Sequence, residues 1–241
     1  MVSGDHISKQ YDQQLEEMRS RVLQMGGLVE SQLRAALEAF EGADVEAAQA
    51  VVDADKRVND QEVELDRMVN YVIARRQPTA GDLRMITGVS KMATELERMG
   101  DEATKIARAA KWLREKGGGF RLNRIPDIRG SGDIASEMLR GALDAFARMD
   151  AVAAAAIIRD DQGVDDRFKA ILRQLITFMM EDARTISAAI DTIWVAKAIE
   201  RIGDHAKNIA EHVIFIAEGT DVRHAPRDDL PPKAREPQQQ G

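Results

Sequence analysis

The chain has 241 residues, 44% of them hydrophobic and only 4% aromatic, with 41 acidic against 34 basic side chains and a net charge of −7. That length admits one large domain or two small ones; the acidic balance argues against binding a phosphate backbone, and the scarce aromatics argue against a stacking surface for single-stranded nucleic acid. There is no cysteine, which excludes disulfides, thiolate zinc sites and a cysteine nucleophile.

The opening "MVSGDHISKQYDQQLEEM" has no apolar run after a basic start, so no signal peptide is read there. No stretch approaches the roughly 20 apolar residues that span a bilayer. The expectation is a cytoplasmic protein that meets a membrane only through a partner. From Ile7 to Phe40, apolar residues recur in steps of three and four and predict one long helix. "EGAD" (41–44) ends it, with Asp44 placed to cap a second helix that runs to about Arg76. "QPTAGD" (77–82) breaks the pattern, and a third helix runs from about Asp82 to the "GGG" at 117–119. A linker at 120–132 carries one proline and two glycines. Helical patterning then resumes over roughly 133–149, 150–180 and 182–218. The polar, proline-rich segment from Gly219 is expected to be disordered. Alternation of period two is absent, so the fold class is all-α.

The two halves repeat. "ALEAF" (36–40) returns as "ALDAF" (142–146), and "ERMGD" (97–101) returns as "ERIGD" (200–204). The predicted architecture is two tandem three-helix bundles, at 1–119 and 120–218, followed by a tail at 219–241. In the sixth helix a heptad register makes Ile199, Ile202, Ala206, Ile209, Val213 and Ile216 the seam. Glu200 and Asp204 then fall beside it, as Glu97 and Asp101 do in the third helix. The second helix breaks its own apolar stripe with Asp55 and Glu62, and Asn59 follows Asp55 by four. The fifth helix breaks its stripe at Asp161, and Asp165 follows by four.

Counting outward from the two tight turns places Asp55 and Asn59 level with Glu97 and Asp101, and Asp161 and Asp165 level with Glu200 and Asp204, at ~1.5 Å per residue. So many carboxylates at one level require positive charge, from a bound cation or from the neighbouring Arg98 and Arg201. Oxygen-only donors suit hard cations such as magnesium, calcium or manganese, or carboxylate-held iron. No His stands three residues after Glu97 or Glu200, which argues against a ferritin-type di-iron centre. His205 is the histidine beside a motif, and a surface role is expected for it ahead of metal contact. Gly100 and Gly203 read as packing glycines that admit a close neighbour.

These residues carry a family resemblance. "ERMGDEATKIAR" and "ERIGDHAKNIAEHV", with "RRQPTAGDLR" (75–84), "ALDAFARMD" (142–150) and "RQLITFMMEDARTI" (173–186), resemble the twin signature of the PhoU family over residues 6–224. The resemblance implies a cytoplasmic, non-enzymatic adaptor that restrains the phosphate-starvation response. Its implied partners are the PstSCAB phosphate transporter, chiefly the PstB ATPase, and the PhoR histidine kinase, with a second copy in a homodimer. It also implies metal binding by the acidic motifs, here Glu97–Asp101, Glu200–Asp204, Asp161–Asp165 and Asp55–Asn59, with Glu62 able to compensate for the amide at Asn59. Magnesium, manganese, iron or zinc would be the ion. Two rivals are a carboxylate-metal hydrolase acting on phosphate esters and a purely structural bundle with solvated acids. For the hydrolase, neither a nucleophile motif nor a general base beyond the ligands is evident.

Overall fold

The computed structural model describes residues 4–115, 127–223 and 230–231. Seven α-helices follow in order among these residues, α1 (Gly4–Gly42), α2 (Val45–Arg76), α3 (Ala80–Glu115), α4 (Ile128–Arg148), α5 (Ala151–Asp160), α6 (Gln162–Glu181) and α7 (Ile186–Glu218), with a single 3-10 turn at Ala183–Thr185 leading into α7. No strand occurs among the described residues. α5 and α6 together are the single fifth helix expected from the periodicity. Asp161 keeps right-handed helical dihedrals between them, and only the hydrogen-bond ladder is interrupted. The six rods form two three-helix units, one from α1–α3 and one from α4–α7.

The turns are chemically specified. Ala43 takes a left-handed φ of 47°, and the carboxylate of Asp44 then accepts from the Ala47 amide at 3.0 Å. The second half repeats the device: Met149 has φ 52°, and Asp150 accepts from the Ala153 amide at 2.9 Å. Each cap satisfies an amide that the helix itself leaves without a partner.

α4 begins five residues earlier than the sequence suggests. Gly130 and Gly132 read as breakers, yet both lie inside the helix. A Cβ on Gly132 would stand 2.5 Å from Leu37 Cδ1, and a Cβ on Gly26 would stand 2.5 Å from Leu143 Cδ1. Glycine is required there by the close antiparallel approach of α1 and α4, not by a turn.

The six seam residues assigned on α7 are all buried, as are Leu96, Met99, Ala103 and Ile106 on α3. α3 and α7 pack antiparallel in the middle of the molecule, and α1 with α4 beside them. α2 covers α1 and α3, while α5 and α6 cover α4 and α7. α3 and α7 are therefore each enclosed on several sides, which explains why α7 buries residues well beyond one stripe. The expectation of a disordered tail falls largely on 224–229 and 232–241, outside the described residues. Within the described part, Val222 and Leu230 are buried, and Arg159 donates to the Pro231 carbonyl at 2.7 Å.

Candidate metal centre

Antiparallel pairing of α2 with α3 brings Asp55, Glu62, Glu97 and Asp101 into one field. Burial raises the Glu97 carboxyl above its ordinary value, and Asp101, Glu62 and Asp55 add like-charge repulsion that Arg98 only partly offsets. Asn59 lies exposed on the same stretch of α2. The second half is built alike. Burial raises Asp204, and Glu200, Asp161 and Asp165 push in the same direction, against Lys197. The seven carboxylates that level counting places thus fall into the two groups it gives, and Glu62 joins the first. Among the described residues, no group of three or more His, Asp or Glu side chains is already arranged to hold an ion.

The glycines that interrupt both motifs have a geometric reason. A Cβ on Gly100 would meet Gln32 Oε1 at 3.2 Å and Asp55 Oδ1 at 3.3 Å; a Cβ on Gly203 would meet Val164 Cγ1 at 3.3 Å. Each glycine lets the acid-bearing helix approach its partner at the height of the acids. The cost of helical glycine, about 1 kcal/mol against alanine, is the cost of that proximity.

The counter-charges differ from those expected. Arg201 Nε contacts Glu102 Oε1 at 3.1 Å, and Arg98 leans toward Glu95 at 3.8 Å, so neither arginine is paired with the acids of its own motif. Lysines serve instead in the second half. Lys207 Nζ donates to Asp161 Oδ2 at 3.1 Å, and Lys197 Nζ lies 2.6 and 2.5 Å from the two Glu200 oxygens. Lys197 also stands over the Phe168 ring, 5.4 Å from its centroid. Asp161 is buried, and Lys207 makes that burial tolerable.

In the first half Gln32 of α1 reaches the site. Its Nε2 donates to Asp55 Oδ1 at 2.9 Å and to Thr104 Oγ1 at 3.3 Å, while its Oε1 is buried without a hydrogen-bond partner. Thr94 donates to Glu62 Oε1 at 3.1 Å. Asp55, Glu62, Glu97 and Asp101 offer oxygen donors only, and Gln32 turns its amide nitrogen, not its carbonyl, toward Asp55. Gln32, Thr94, Thr104, Lys197 and Lys207 were not singled out by periodicity. Extending the repeat alignment beyond the acids exposes four of them, because Lys197 and Lys207 stand where the first half has Thr94 and Thr104.

His205 does not take the surface position expected of it. It is buried, and its Nδ1 lies 2.6 Å from Glu95 Oε2, which also accepts from Asn208 Nδ2 at 3.1 Å. Those hydrogen bonds hold the Glu95 carboxyl below its ordinary value although burial opposes them. This network joins α3 to α7 and so fixes one half of the molecule on the other.

The comparisons agree with this architecture. The PhoU domain model matches twice, at residues 22–110 and 128–213. The phosphate-specific transport system accessory protein PhoU homolog of Pseudomonas putida is 48% identical over 219 residues, covering 91% of this chain and 85% of the relative. The phosphate-specific transport system accessory protein PhoU of Escherichia coli K12 is 43% identical over 225 residues, covering 93% and 92%. Among solved structures, PhoU from Pseudomonas aeruginosa superposes with a TM-score of 0.82 at 44% identity, over 87% of this chain and 100% of that one. The phosphate transport system regulatory protein PhoU from Streptococcus pneumoniae gives 0.80 at 26% identity, over 88% and 99%. With both repeats matched and near-complete coverage of each relative, this chain belongs to the PhoU family.

Proposed function

We propose that this chain is an accessory regulator of phosphate transport. It reports the state of the PstSCAB transporter, through PstB, to the PhoR kinase, and it restrains the phosphate-starvation response when phosphate is plentiful. The observation that carries this reading is the near-full-length likeness to proteins named as accessory and regulatory components of phosphate transport systems, with both repeats matched. The chain would work at the inner face of the membrane through its partners; no described helix is long and apolar enough to cross a bilayer. The acids would hold divalent cations that keep charged helix pairs together or bridge to a partner, and a homodimer would present paired copies of such surfaces. No observation favours the phosphate-ester hydrolase, since His205 is engaged with Glu95 in the α3–α7 seam. The test is deletion of the encoding gene in its own host. Alkaline phosphatase is expected to stay high in phosphate-rich medium, with repression restored by the intact gene. Normal repression in the deletion strain would refute the regulatory reading.

A further inference from the structure

We propose that the α6–α7 end of the second half is the face on which a second copy of this chain docks, with the two copies related by a two-fold axis at the level of Ile176 and Ile190. This rests on the homodimer of the proposed function and names its interface. Lys197 over Phe168 and Lys207 on Asp161 set the register of α7 on α6. Carried toward the turn, that register puts Leu172 level with Trp194, Ile176 with Ile190 and Met180 with Ile186. Ile176, Met180, Ile186, Ile190 and Trp194 are all exposed, Met180 by 83% and Trp194 by 67%. Together they leave bare on the order of 600 Å² of apolar surface, the upper end of what a monomer carries. A stable interface needs about 800 Å² per partner, which the patch supplies once its polar rim is added.

The repeat shows that the bundle itself does not require these side chains. At its offsets of 106 for the earlier helices and 103 for the last, Ile176, Met180, Ile190 and Trp194 correspond to Asn70, Ala74, Thr87 and Lys91. Asn70, Ala74 and Lys91 are exposed as their counterparts are. Both halves therefore leave these positions to solvent, and the second alone makes them large and apolar. Ile186 corresponds to Leu83, where both halves are apolar.

The charges at the rim choose the occupant. Arg173 and Glu181 stand four residues to either side of Thr177 on the solvent face of α6. Both are exposed, and among the described residues neither makes an ion pair. A two-fold axis at that level lays α6 antiparallel on its counterpart, so Arg173 of each copy meets Glu181 of the other. On α7 the same axis sets Ile186 of each copy against Trp194 of the other, because Ile190 lies midway between them and level with Ile176. One axis satisfies the apolar and the charged positions of both helices, which is the self-complementarity an isologous interface requires. In the first half the corresponding residues are Arg67 and Arg75, whose like charges would repel a second copy. The assembly thus closes at two. Arg173 is balanced by Glu181, and Arg184 is bonded to Asp182, so the patch lacks the excess of cations that an anionic lipid surface selects.

The experiment is sedimentation equilibrium of the full chain, with circular dichroism confirming that each variant is folded. Wild type is expected to dimerise without forming larger species. Trp194→Asp is expected to weaken the dimer at least about thirtyfold, as loss of a large aromatic anchor does. Tyr71→Asp, on the first half, is expected to leave it unchanged. Arg173→Glu and Glu181→Arg are each expected to weaken self-association about tenfold, since each turns both rim contacts from attraction to repulsion. An equal mixture of these two variants is expected to recover dimers of wild-type strength, because every rim contact between unlike copies is again between opposite charges. Failure of the mixture to recover, or a dimer indifferent to Trp194→Asp, would overturn this interface and leave a homodimer standing on another face. Wild type that stays monomeric at every concentration would overturn the homodimer itself. If that monomer then binds phosphatidylglycerol vesicles through Trp194, a lipid surface and not a second copy is the occupant. The deletion phenotype decides the regulatory role separately.

Discussion

Replacing His212 with glutamine removes a proton-binding group from the interior of α7 while keeping a polar side chain of similar size. His212 is 7% exposed, and burial pushes its imidazole down from 6.5 to about 4. The fields of Lys91 and Arg223 act in the same direction, and Glu95 and Asp221 act against it. The folded state therefore keeps a neutral ring at pH values where the unfolded chain binds a proton. Stability is present above 6.5 and is lost as pH falls from 6.5 toward 4, because the unfolded state gains the proton first. At about 1.36 kcal/mol per pH unit, lowering the pH from 6.5 to 5.0 costs about 2 kcal/mol from this residue. For a chain of this size that is roughly 4–8 °C in Tm. Thermal unfolding followed by circular dichroism from pH 7.5 to 5.0 checks it. Wild type is expected to lose that much more Tm than His212→Gln over the interval. Parallel curves, within about 1 °C, would refute the assignment of a buried neutral histidine.

The Glu95 network makes a second prediction: Glu95→Ala leaves His205 and Asn208 facing a cavity and is expected to cost about 3 kcal/mol or more in urea unfolding, as removal of one member of a buried pair does. Glu95→Gln keeps an acceptor and is expected to cost much less, and equal losses in the two variants would show that the carboxylate is not what joins the halves. The helical glycines separate by their surroundings. Gly27 has open space where a Cβ would go, so Gly27→Ala is expected to stabilise by up to about 1 kcal/mol in the same assay. Gly100→Ala instead meets Gln32 and Asp55, whose mutual hydrogen bond holds them in place, and is expected to lower the affinity for Mn²⁺ measured by equilibrium dialysis. Unchanged Mn²⁺ affinity in Gly100→Ala would refute the role given to that glycine.

Much of this molecule is legible from periodicity because a long amphipathic helix in a bundle has few alternatives. The seams of α3 and α7 follow directly from the spacing of Leu96, Met99 and Ile106 and of Ile199, Ile202 and Ile209. Antiparallel neighbours joined by tight turns also preserve level, so counting from the turns brings Asp55 opposite Asp101 without any coordinates. The start of α4 fails for a definite reason. A glycine at a close helix crossing and a glycine in a turn look the same in sequence, and only the position of Leu37 tells them apart at Gly132.

The sequence by itself determined the all-α class, the duplication, the helix seams and the grouping of the acids, since each depends on local period or on counting along one hairpin. The tertiary structure decided what those acids touch. Gln32 arrives from α1 across 23 residues to Asp55, and Glu95 meets His205 across 110. Such partners depend on rotations about helix axes and on which helices share the centre of the bundle. That choice is made by the packing of whole faces, which no local spacing encodes.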